Sequence, residues 1–178
     1  RAKRAEELYR KRALKHGTEP FPPRIAMSCD VLKQRYRAKA TGMVRLWREL
    51  KDAALAAVQA PGHTFGTTGS HTCRFRMNGS FLQCTLPSGR PIYYPFPRIR
   101  MAHPPWMTDE EIKKDKSGHK KNPGLTYMTV GLNNQWMRTG THGGKQCENV
   151  TSGFSSDILR NGLENLEKEN YPVIMHVH

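Results

Sequence analysis

The sequence predicts an α+β protein in which long helices accompany antiparallel strands. Three observations predict this class. Apolar residues recur every three or four positions before residue 60 and again after residue 143, as in helices with one apolar face. Short strand-like runs separated by turn dipeptides lie between those regions. The regular strand–helix alternation of a parallel α/β fold is absent, and so is any internal repeat.

The first third of the chain is predicted to be helical and basic. Residues 1–15 read as a basic helix, followed by a proline-rich break. A second helix is expected from Ser28, with Ser28 or Asp30 as its N-cap. A joint at Thr41-Gly42 precedes a third helix that Pro61-Gly62 ends. Its apolar stripe consists of Met43, Leu46, Trp47, Leu50, Ala54 and Val58.

The middle of the chain is predicted to form hairpins. Asn78-Gly79 is a type I′ turn signal between strands over 72–77 and 80–86, and 91–95 supplies a third strand. Residues 97–123 are rich in proline and lysine, which indicates a surface excursion. Its four acidic residues are expected to be solvated rather than to bind metal, and they are Asp109, Glu110, Glu111 and Asp115.

The last third is predicted to contain a second hairpin, a long helix and a strand. Strands over 125–131 and 136–139 form the hairpin, a helix covers roughly 146–168, and a strand covers 172–178. The closing strand is expected to lie inside an antiparallel sheet backed by that helix. The helix's apolar stripe consists of Val150, Phe154, Ile158, Leu159, Leu163 and Leu166.

The charge of the chain favours a polyanionic partner. The 178 residues carry 29 Lys and Arg against 15 Asp and Glu, a net charge of +14. Residues 1–51 hold 15 of those basic residues and only 5 of the acidic ones. Nucleic acid is the favoured partner because each phosphate contact releases condensed counterions. A solvated helix face and an interface with an acidic subunit are the alternatives.

Other sequence patterns limit the classes of protein to which this chain can belong. No run approaches about 18 apolar residues, so no membrane span is predicted, and no secretory signal is expected. The four cysteines form no Cys-x-x-Cys pair, which favours reduced core cysteines over a structural zinc site. No nucleophile elbow, P-loop or His-Glu-x-x-His helix occurs. His176 and His178 would share one face of a strand, so a small metallohydrolase is a further hypothesis, although one packed and one exposed histidine is the simpler interpretation.

The last third of the chain contains a series of short motifs. They are Trp136-Met137-Arg138, Thr141-His142-Gly143-Gly144-Lys145, Glu148-Asn149, Asp157-Ile158-Leu159 and His176-Val177-His178. In this order they resemble the palm of family A DNA polymerases of the phage-type branch. That branch has Trp-x-Arg, Thr-Tyr-Gly-Gly-Lys, Glu-Asn, a long helix and a strand that ends in Val-His-Asp-Glu. Upstream, Leu86-Pro87-Ser88-Gly89-Arg90 with Tyr93-Tyr94, and the tract from Tyr36 to Val58, are also similar to that branch.

The resemblance implies a fragment of a DNA-directed DNA polymerase, with the end of the fingers over 1–60 and palm over 61–178. It implies nucleotidyl transfer by two Mg²⁺ ions, held mainly by carboxylates outside this chain. One of these Asp residues is expected just beyond His178, so no catalytic and no metal-binding residue is assigned within the chain. The implied partners are a DNA primer–template, deoxynucleoside triphosphates and complementary polymerase fragments or subunits, in the cytoplasm of a phage-infected cell and without a membrane.

The resemblance also implies nucleic-acid-binding residues. His178 matches a histidine beside the primer terminus, and Ser152 stands where the family usually has a Gln that contacts the minor groove. Lys145 could reach a phosphate, and Arg138 belongs to the Trp-x-Arg element. Glu148 and Asn149 match the pair that opens the long helix, although Asn149 could equally be its N-cap. Gly143-Gly144 is interpreted as a tight turn, and Gly153 as a close approach of backbone, strand or duplex.

Two deviations from the family pattern support an alternative function. His142 replaces the family's Tyr, and Ser152 replaces its Gln. With the catalytic carboxylates expected elsewhere, the alternative is a non-catalytic basic nucleic-acid-binding or assembly subunit derived from a polymerase palm.

Overall fold

The computed structural model describes residues 2–16, 22–69, 72–104 and 107–175, and it confirms the α+β class. The elements in chain order are α1 (Ala2–His16), α2 (Pro23–Lys39), α3 (Thr41–Gln59), β1 (Thr64–Gly66), β2 (Arg74–Asn78), β3 (Phe81–Thr85), β4 (Pro91–Pro95), β5 (Arg98–Ala102), α4 (Asp109–Lys114), β6 (Asn122–Val130), β7 (Trp136–Thr141) and α5 (Gly143–Lys168). In the part of the chain described, no helix is both long and apolar enough to cross a membrane.

The chain divides into two compact units. The first unit comprises Arg1–Arg45 and Arg100–Gly124, and the second comprises Leu46–Ile99 and Leu125–His178. The domain boundary that we expected at residue 60 is based on the resemblance to fingers and palm, not on compact units. It stays a prediction.

The first unit contains the predicted basic helix and a second helix that begins earlier than expected. α1 and α2 pack together, with Ala13 and Ala26 buried. α2 begins at Pro23, so the predicted N-cap at Ser28 or Asp30 is wrong. Ser28 lies inside the helix, where its hydroxyl donates to the Arg24 carbonyl at 2.9 Å. Proline suits the first helical position because its fixed φ matches the helix and its missing N–H would have no partner there.

The joint between the second and third helices is confirmed, but it lies one residue before the predicted Thr41-Gly42, which belongs to the third helix. α2 ends at Lys39 and α3 begins at Thr41, with Ala40 between them. α3 ends at Gln59, just before Pro61. The end of α3 follows from local chemistry, because the Pro61-Gly62 pair cannot continue the helix.

The stretch over 97–123 is more ordered than the sequence suggested. It contains β5 and the short helix α4. Thr108 caps α4 in a capping box: its hydroxyl accepts from the Glu111 N–H at 3.3 Å, and the Glu111 carboxylate accepts from the Thr108 N–H at 2.9 Å. The sequence contains the Thr-x-x-Glu pattern of a capping box. The surrounding lysines and prolines are typical of a loop, so no helix was predicted there.

Asp115 corrects the expectation that all four acidic residues of this stretch are solvated. Its carboxylate is buried and lies 3.0 Å from His103 Nε2, and it also accepts from the Lys120 N–H at 3.0 Å. Burial acts to raise the pKa of Asp115, but the hydrogen bonds from Lys120 and His103 outweigh it and hold that pKa below its ordinary value. The carboxylate therefore fastens the lysine-rich turn to the end of β5.

The second unit is built on an antiparallel sheet with the order β1-β2-β3-β4. The hairpin and the third strand were predicted, whereas β1 was not. Asn78 pairs with Phe81, so the loop residues are Gly79 and Ser80 instead of the predicted Asn78-Gly79. Of these two, only Gly79 has positive φ, at 56°, which is typical of the Gly-first type II′ turn rather than type I′.

The hydrophobic core lies on one face of this sheet. The strand register places Phe75, Leu82 and Tyr94 on the same face, and all three are buried. α3 packs there through buried Leu50 and Ala54, which confirms the centre of its predicted stripe. Successive strand residues point to opposite faces, so the remaining strand residues form an outer face.

The cysteines are reduced, as expected, and three of the four are buried. Cys73 and Cys84 are neighbours in the core. The hydrogen bond with Cys73, together with burial, raises the pKa of Cys84 well above that of a free thiol. Cys84 therefore stays protonated and packs as a small apolar residue.

The second sheet has the order β5-β6-β7, and the predicted hairpin of β6 and β7 is confirmed. Asn134 provides the positive φ, 56°, that its turn needs. Trp136 is more than half exposed on β7.

The long helix is confirmed, but it begins earlier and is less covered than predicted. α5 starts at Gly143 rather than at 146, and Cys147 and Val150 pack against the core. Phe154, Ile158 and Leu166 are exposed, whereas Leu159 and Leu163 are half-buried. The predicted apolar stripe is therefore only partly covered beyond its first turn. Periodicity identified the apolar residues correctly, but it could not show how far the covering elements extend.

The structure describes only residues 172–175 of the predicted closing strand, and they do not form a strand. The Ile174 and Met175 side chains are exposed. A strand needs a hydrogen-bonding neighbour, and no strand among the described residues pairs with 172–175. The remainder of the predicted strand, with His176 and His178, lies outside the described residues.

Gly143 fixes the distance between α5 and α3. A Cβ at this position would overlap the Trp47 carbonyl group, with 2.6 Å to its carbon atom. The expectation that Gly143 serves a tight turn is therefore wrong, because its role is to let two backbones approach.

We expect Gly143→Ala to destabilise the second unit by about 1–3 kcal/mol, since the added methyl group must push the helices apart. The control is Gly162→Ala, on the same helix, where nothing lies within 4 Å of an added Cβ. That change should stabilise the protein by up to about 1 kcal/mol through helix propensity. Urea unfolding followed by circular dichroism measures both. Equal effects of the two substitutions would contradict the proposed packing role.

Candidate nucleic-acid interface

The start of α5 positions most of the site residues expected from the sequence. His142 is the N-cap, and its Nδ1 accepts from the Lys145 N–H at 3.3 Å. This cap explains why the helix begins at Gly143. It also shows that Asn149 is not the N-cap, because Asn149 lies well inside the helix.

Four of the six predicted binding residues share one flank of α5. Each of Lys145, Glu148, Asn149 and Ser152 lies three or four residues from two of the others, which places the four on one side of a helix. Lys145, Glu148 and Ser152 are exposed, and Asn149 is half-buried. We call this set the α5 flank. It presents a cation, an anion, an amide and a hydroxyl along roughly two helical turns.

Asn149 is held in place by the core. Its Nδ2 donates to the Tyr94 hydroxyl at 3.2 Å. Burial raises the pKa of Tyr94 to about 12, and the hydrogen bond from Asn149 only partly opposes that rise. The Tyr94 hydroxyl therefore stays protonated at neutral pH and fixes the orientation of the amide.

Lys145 and Glu148 form an ion pair on the surface. Their Nζ and Oε1 atoms lie 2.8 Å apart, and both side chains are largely exposed. Exposed pairs of this kind contribute little to stability and open readily. Lys145 can therefore exchange its carboxylate partner for a phosphate at low cost.

A second set of contacts fastens α5 to the turn between β3 and β4. Asp157 accepts from the Ser88 hydroxyl at 2.5 Å and from Arg90 Nε at 2.5 Å, while an Arg90 terminal nitrogen donates to the Gly153 carbonyl at 2.5 Å. A Cβ on Gly153 would lie 2.9 Å from Leu86 Cδ1. The close approach predicted for Gly153 is confirmed. The helix approaches the sheet there, at Leu86 just after β3.

Ser88, Arg90 and Asp157 belong to motifs in the sequence, but those motifs assign them no role. Ser88 and Arg90 lie in one turn, and Asp157 lies almost 70 residues further along the chain. A carboxylate that accepts hydrogen bonds from an arginine is a common tertiary contact. Nothing local in the sequence shows that these residues pair.

Arg138, on β7, has partners within the second unit. Its guanidinium donates to the Phe96 carbonyl at 2.9 Å and to the Thr126 hydroxyl at 3.4 Å. These bonds connect the second hairpin to the end of β4. The nucleic-acid contact expected of Arg138 stays a prediction, as do those of the α5 flank. His178 lies outside the described residues.

The protein is an α+β chain with a strong excess of positive charge and a helix flank of mixed polar groups. Over 147 residues it is 28% identical to a DNA polymerase of Bacillus phage SP02. The aligned region covers 83% of this chain but only 20% of that polymerase, so the chain spans about a fifth of the relative's length. No protein-family model and no solved structure matches the chain. The similarity relates the chain to a phage DNA polymerase, a nucleotidyltransferase.

We expect Asp157→Asn to lower the melting temperature by a few degrees near neutral pH. The hydrogen bond from Ser88, and then the bond and charge of Arg90, hold the pKa of Asp157 below its ordinary value. A lowered folded-state pKa means that the stabilisation is fully present above the unfolded-state pKa, about 3.9. It is lost as the pH falls through the folded-state pKa.

Thermal melts of both proteins between about pH 2 and pH 7 test this pH dependence. The difference in melting temperature should be constant from neutral pH down to mildly acidic pH and should shrink below that. Glu164→Gln is the control, because its partner Arg160 is exposed on the same helix and the pair contributes little. A difference that grows on acidification would contradict the assignment.

Proposed function

We propose that this chain is part of a DNA-directed DNA polymerase, to which it contributes primer–template binding and part of the palm scaffold. The similarity to the phage SP02 polymerase over 83% of the chain carries this proposal. The motifs of the sequence analysis support the narrower assignment to the phage-type branch of family A. Template-directed nucleotidyl transfer is proposed for the complete enzyme, of which this chain covers a fraction.

In this proposal the α5 flank lies along the backbone and minor groove of the duplex. Lys145 leaves Glu148 and binds a phosphate, which adds a charge-assisted hydrogen bond. Asn149, oriented by Tyr94, and the hydroxyl of Ser152 face the bases. The ties of Asp157 keep the flank in position without reorganisation when DNA binds. His178 would lie beside the primer terminus.

Mg²⁺ belongs to the proposal as a cofactor of the complete polymerase. Among the residues that the structure describes, no group of three or more His, Cys, Asp or Glu side chains could hold a metal ion. We therefore assign no step of the reaction to a metal held by this chain. Carboxylates of the companion polypeptide would hold Mg²⁺, which supplies positive charge for phosphoryl transfer.

The further partners proposed are deoxynucleoside triphosphates and complementary polymerase fragments or subunits. The phage origin of the relative supports a place in the cytoplasm of an infected cell. The alternative of a non-catalytic binding subunit makes the same DNA contacts, so it differs only in the outcome of catalytic assays.

Two substitutions on the α5 flank should change duplex binding in opposite directions. Lys145→Gln removes a phosphate contact, so it should weaken binding and lower the slope of log K against log[NaCl] by about 0.9. Glu148→Gln releases Lys145 and removes a negative charge, so it should tighten binding. Fluorescence anisotropy with a labelled primer–template measures both.

The matched control is Lys168→Gln, which removes the same charge from the last turn of α5. It should change the affinity by less than Lys145→Gln and leave the salt slope nearly unchanged. If Lys145→Gln and Lys168→Gln weaken binding equally, the effect is one of net charge and the α5 flank is not the interface.

Complementation should restore catalysis. We expect the chain, mixed with polypeptide that carries the carboxylate-bearing strands of a phage-type polymerase, to extend a labelled primer on a template when Mg²⁺ is present. A sample without the chain is the control. A complex verified by size-exclusion chromatography that binds DNA but extends no primer would favour the non-catalytic alternative.

A further inference from the structure

The outer face of the four-stranded sheet carries an exposed aromatic group. The register pairs Arg76 with Gln83 and Gln83 with Tyr93, while Phe81 pairs with Asn78 and Pro95. All of these positions alternate with the core-facing residues, so they lie on the opposite face. We call Arg74, Arg76, Phe81, Tyr93 and the adjoining Phe96 the outer sheet patch.

Three rings of this patch form one contiguous group. Phe81, Tyr93 and Phe96 are 41%, 49% and 47% exposed. The centroid of the Phe81 ring lies 5.9 Å from that of Tyr93, in an edge-to-face arrangement, and 6.2 Å from that of Phe96. Water contact with three adjoining rings costs free energy, so such a group indicates a binding surface.

Phe96 is held beside the other rings in a strained conformation. Its φ of 47° lies in the left-handed region, which is unfavourable for a bulky side chain. Its N–H donates to the Ser80 carbonyl at 2.8 Å, and its carbonyl accepts from Arg138 at 2.9 Å. Both backbone groups are thus used to maintain a conformation that keeps the ring at the surface. Strain of this kind is concentrated at functional sites.

The charge of the patch fits a polyanion. Arg74 and Arg76 are exposed on β2, and neither forms an ion pair with any residue of the described ranges. No Asp or Glu occurs anywhere between Asp52 and Asp109, so all four strands lack carboxylates. These two guanidinium groups lie on the same face of the sheet as Phe81 and Tyr93. The combination favours an anionic partner over a cationic or purely apolar one.

We propose that the outer sheet patch binds single-stranded DNA, with unpaired bases stacked on Phe81, Tyr93 and Phe96 and phosphates bound by Arg74 and Arg76. Aromatic rings on a sheet with flanking arginines provide both the stacking and the charge that single strands need. The choice of DNA rests on the proposed function. The patch shares no residue with the α5 flank, so it adds a separate contact for unpaired template or displaced strand.

Stacking is tested with Tyr93→Leu, which removes the ring but keeps an apolar side chain. We expect about tenfold weaker binding of a labelled oligothymidylate of about 20 nucleotides. The control is Tyr171→Leu, at another exposed tyrosine, which should leave the affinity unchanged. The wild type should also prefer the oligothymidylate to an abasic strand of the same length, and Tyr93→Leu should lose that preference.

The phosphate contacts are tested with the double variant Arg74→Gln/Arg76→Gln. The slope of log K against log[NaCl] should fall by about 1.4, because each phosphate bound on a single strand contributes about 0.7. Arg24→Gln/Lys168→Gln removes the same charge elsewhere on the exposed surface and should leave the slope nearly unchanged. Equal loss in both double variants would overturn the assignment to this patch.

Photocrosslinking tests the wild-type protein and so does not depend on how a variant folds. Strands that contain 5-iododeoxyuridine should crosslink to Phe81, Tyr93 or Phe96, as identified by mass spectrometry. Crosslinks confined to other residues, or equal affinity for normal and abasic strands, would overturn the proposal. Failure of primer extension with these crosslinks present would overturn the polymerase function alone. Extension without them would overturn only this inference.

Discussion

The close approach of α5 to the rest of the second unit is the constraint on which the candidate interface depends. Gly143 lets the helix touch the backbone of Trp47, and Gly153 lets it approach Leu86. A side chain at Gly143 would overlap the backbone of Trp47, and one at Gly153 would require the Leu86 side chain to shift. At the observed separation Asp157 bonds to Ser88 and Arg90 in the β3–β4 turn.

Two acidic residues of this basic chain, Asp115 and Asp157, stabilise its internal structure. Asp115 and Asp157 both have lowered pKa values because they accept hydrogen bonds inside their own units. Their charge orders a turn in one case and holds a helix in the other. Carboxylates are absent from the four-stranded sheet, so Arg74 and Arg76 remain available for an external anion. The distribution of charge therefore matters more for recognition than the net value of +14.

The four-stranded sheet serves two purposes through its alternating faces. One face, with Phe75, Leu82 and Tyr94, closes the core. Through the Tyr94 hydroxyl it also orients Asn149 on the α5 flank. The other face displays the aromatic patch. A change of register by one residue would exchange these faces, so the turn at Gly79 and Ser80 supports core and surface together.

Local chemistry in the sequence determined the class of fold and most of its elements. Turn dipeptides, prolines and three-to-four spacing depend on near neighbours in the chain. For this reason the sequence alone predicted the existence of the joint between α2 and α3, the end of α3 and both hairpins, with the joint and the first turn each displaced by one residue. Errors arose where two local signals competed. Ser28 has the chemistry of an N-cap, but Pro23 starts the helix first.

The tertiary structure decided everything that depends on residues distant in the chain. The tie between Arg90 and Asp157, the burial of Asp115 and the exposure of Phe154 have no local signature, because each depends on which element comes to lie alongside. The motifs identified Asn149 and Lys145, but only packing distinguished a fixed amide from a mobile surface cation. The spacing of residues along the chain specifies which of them share one face of a helix or strand. Which other element packs against that face is decided only when the chain folds.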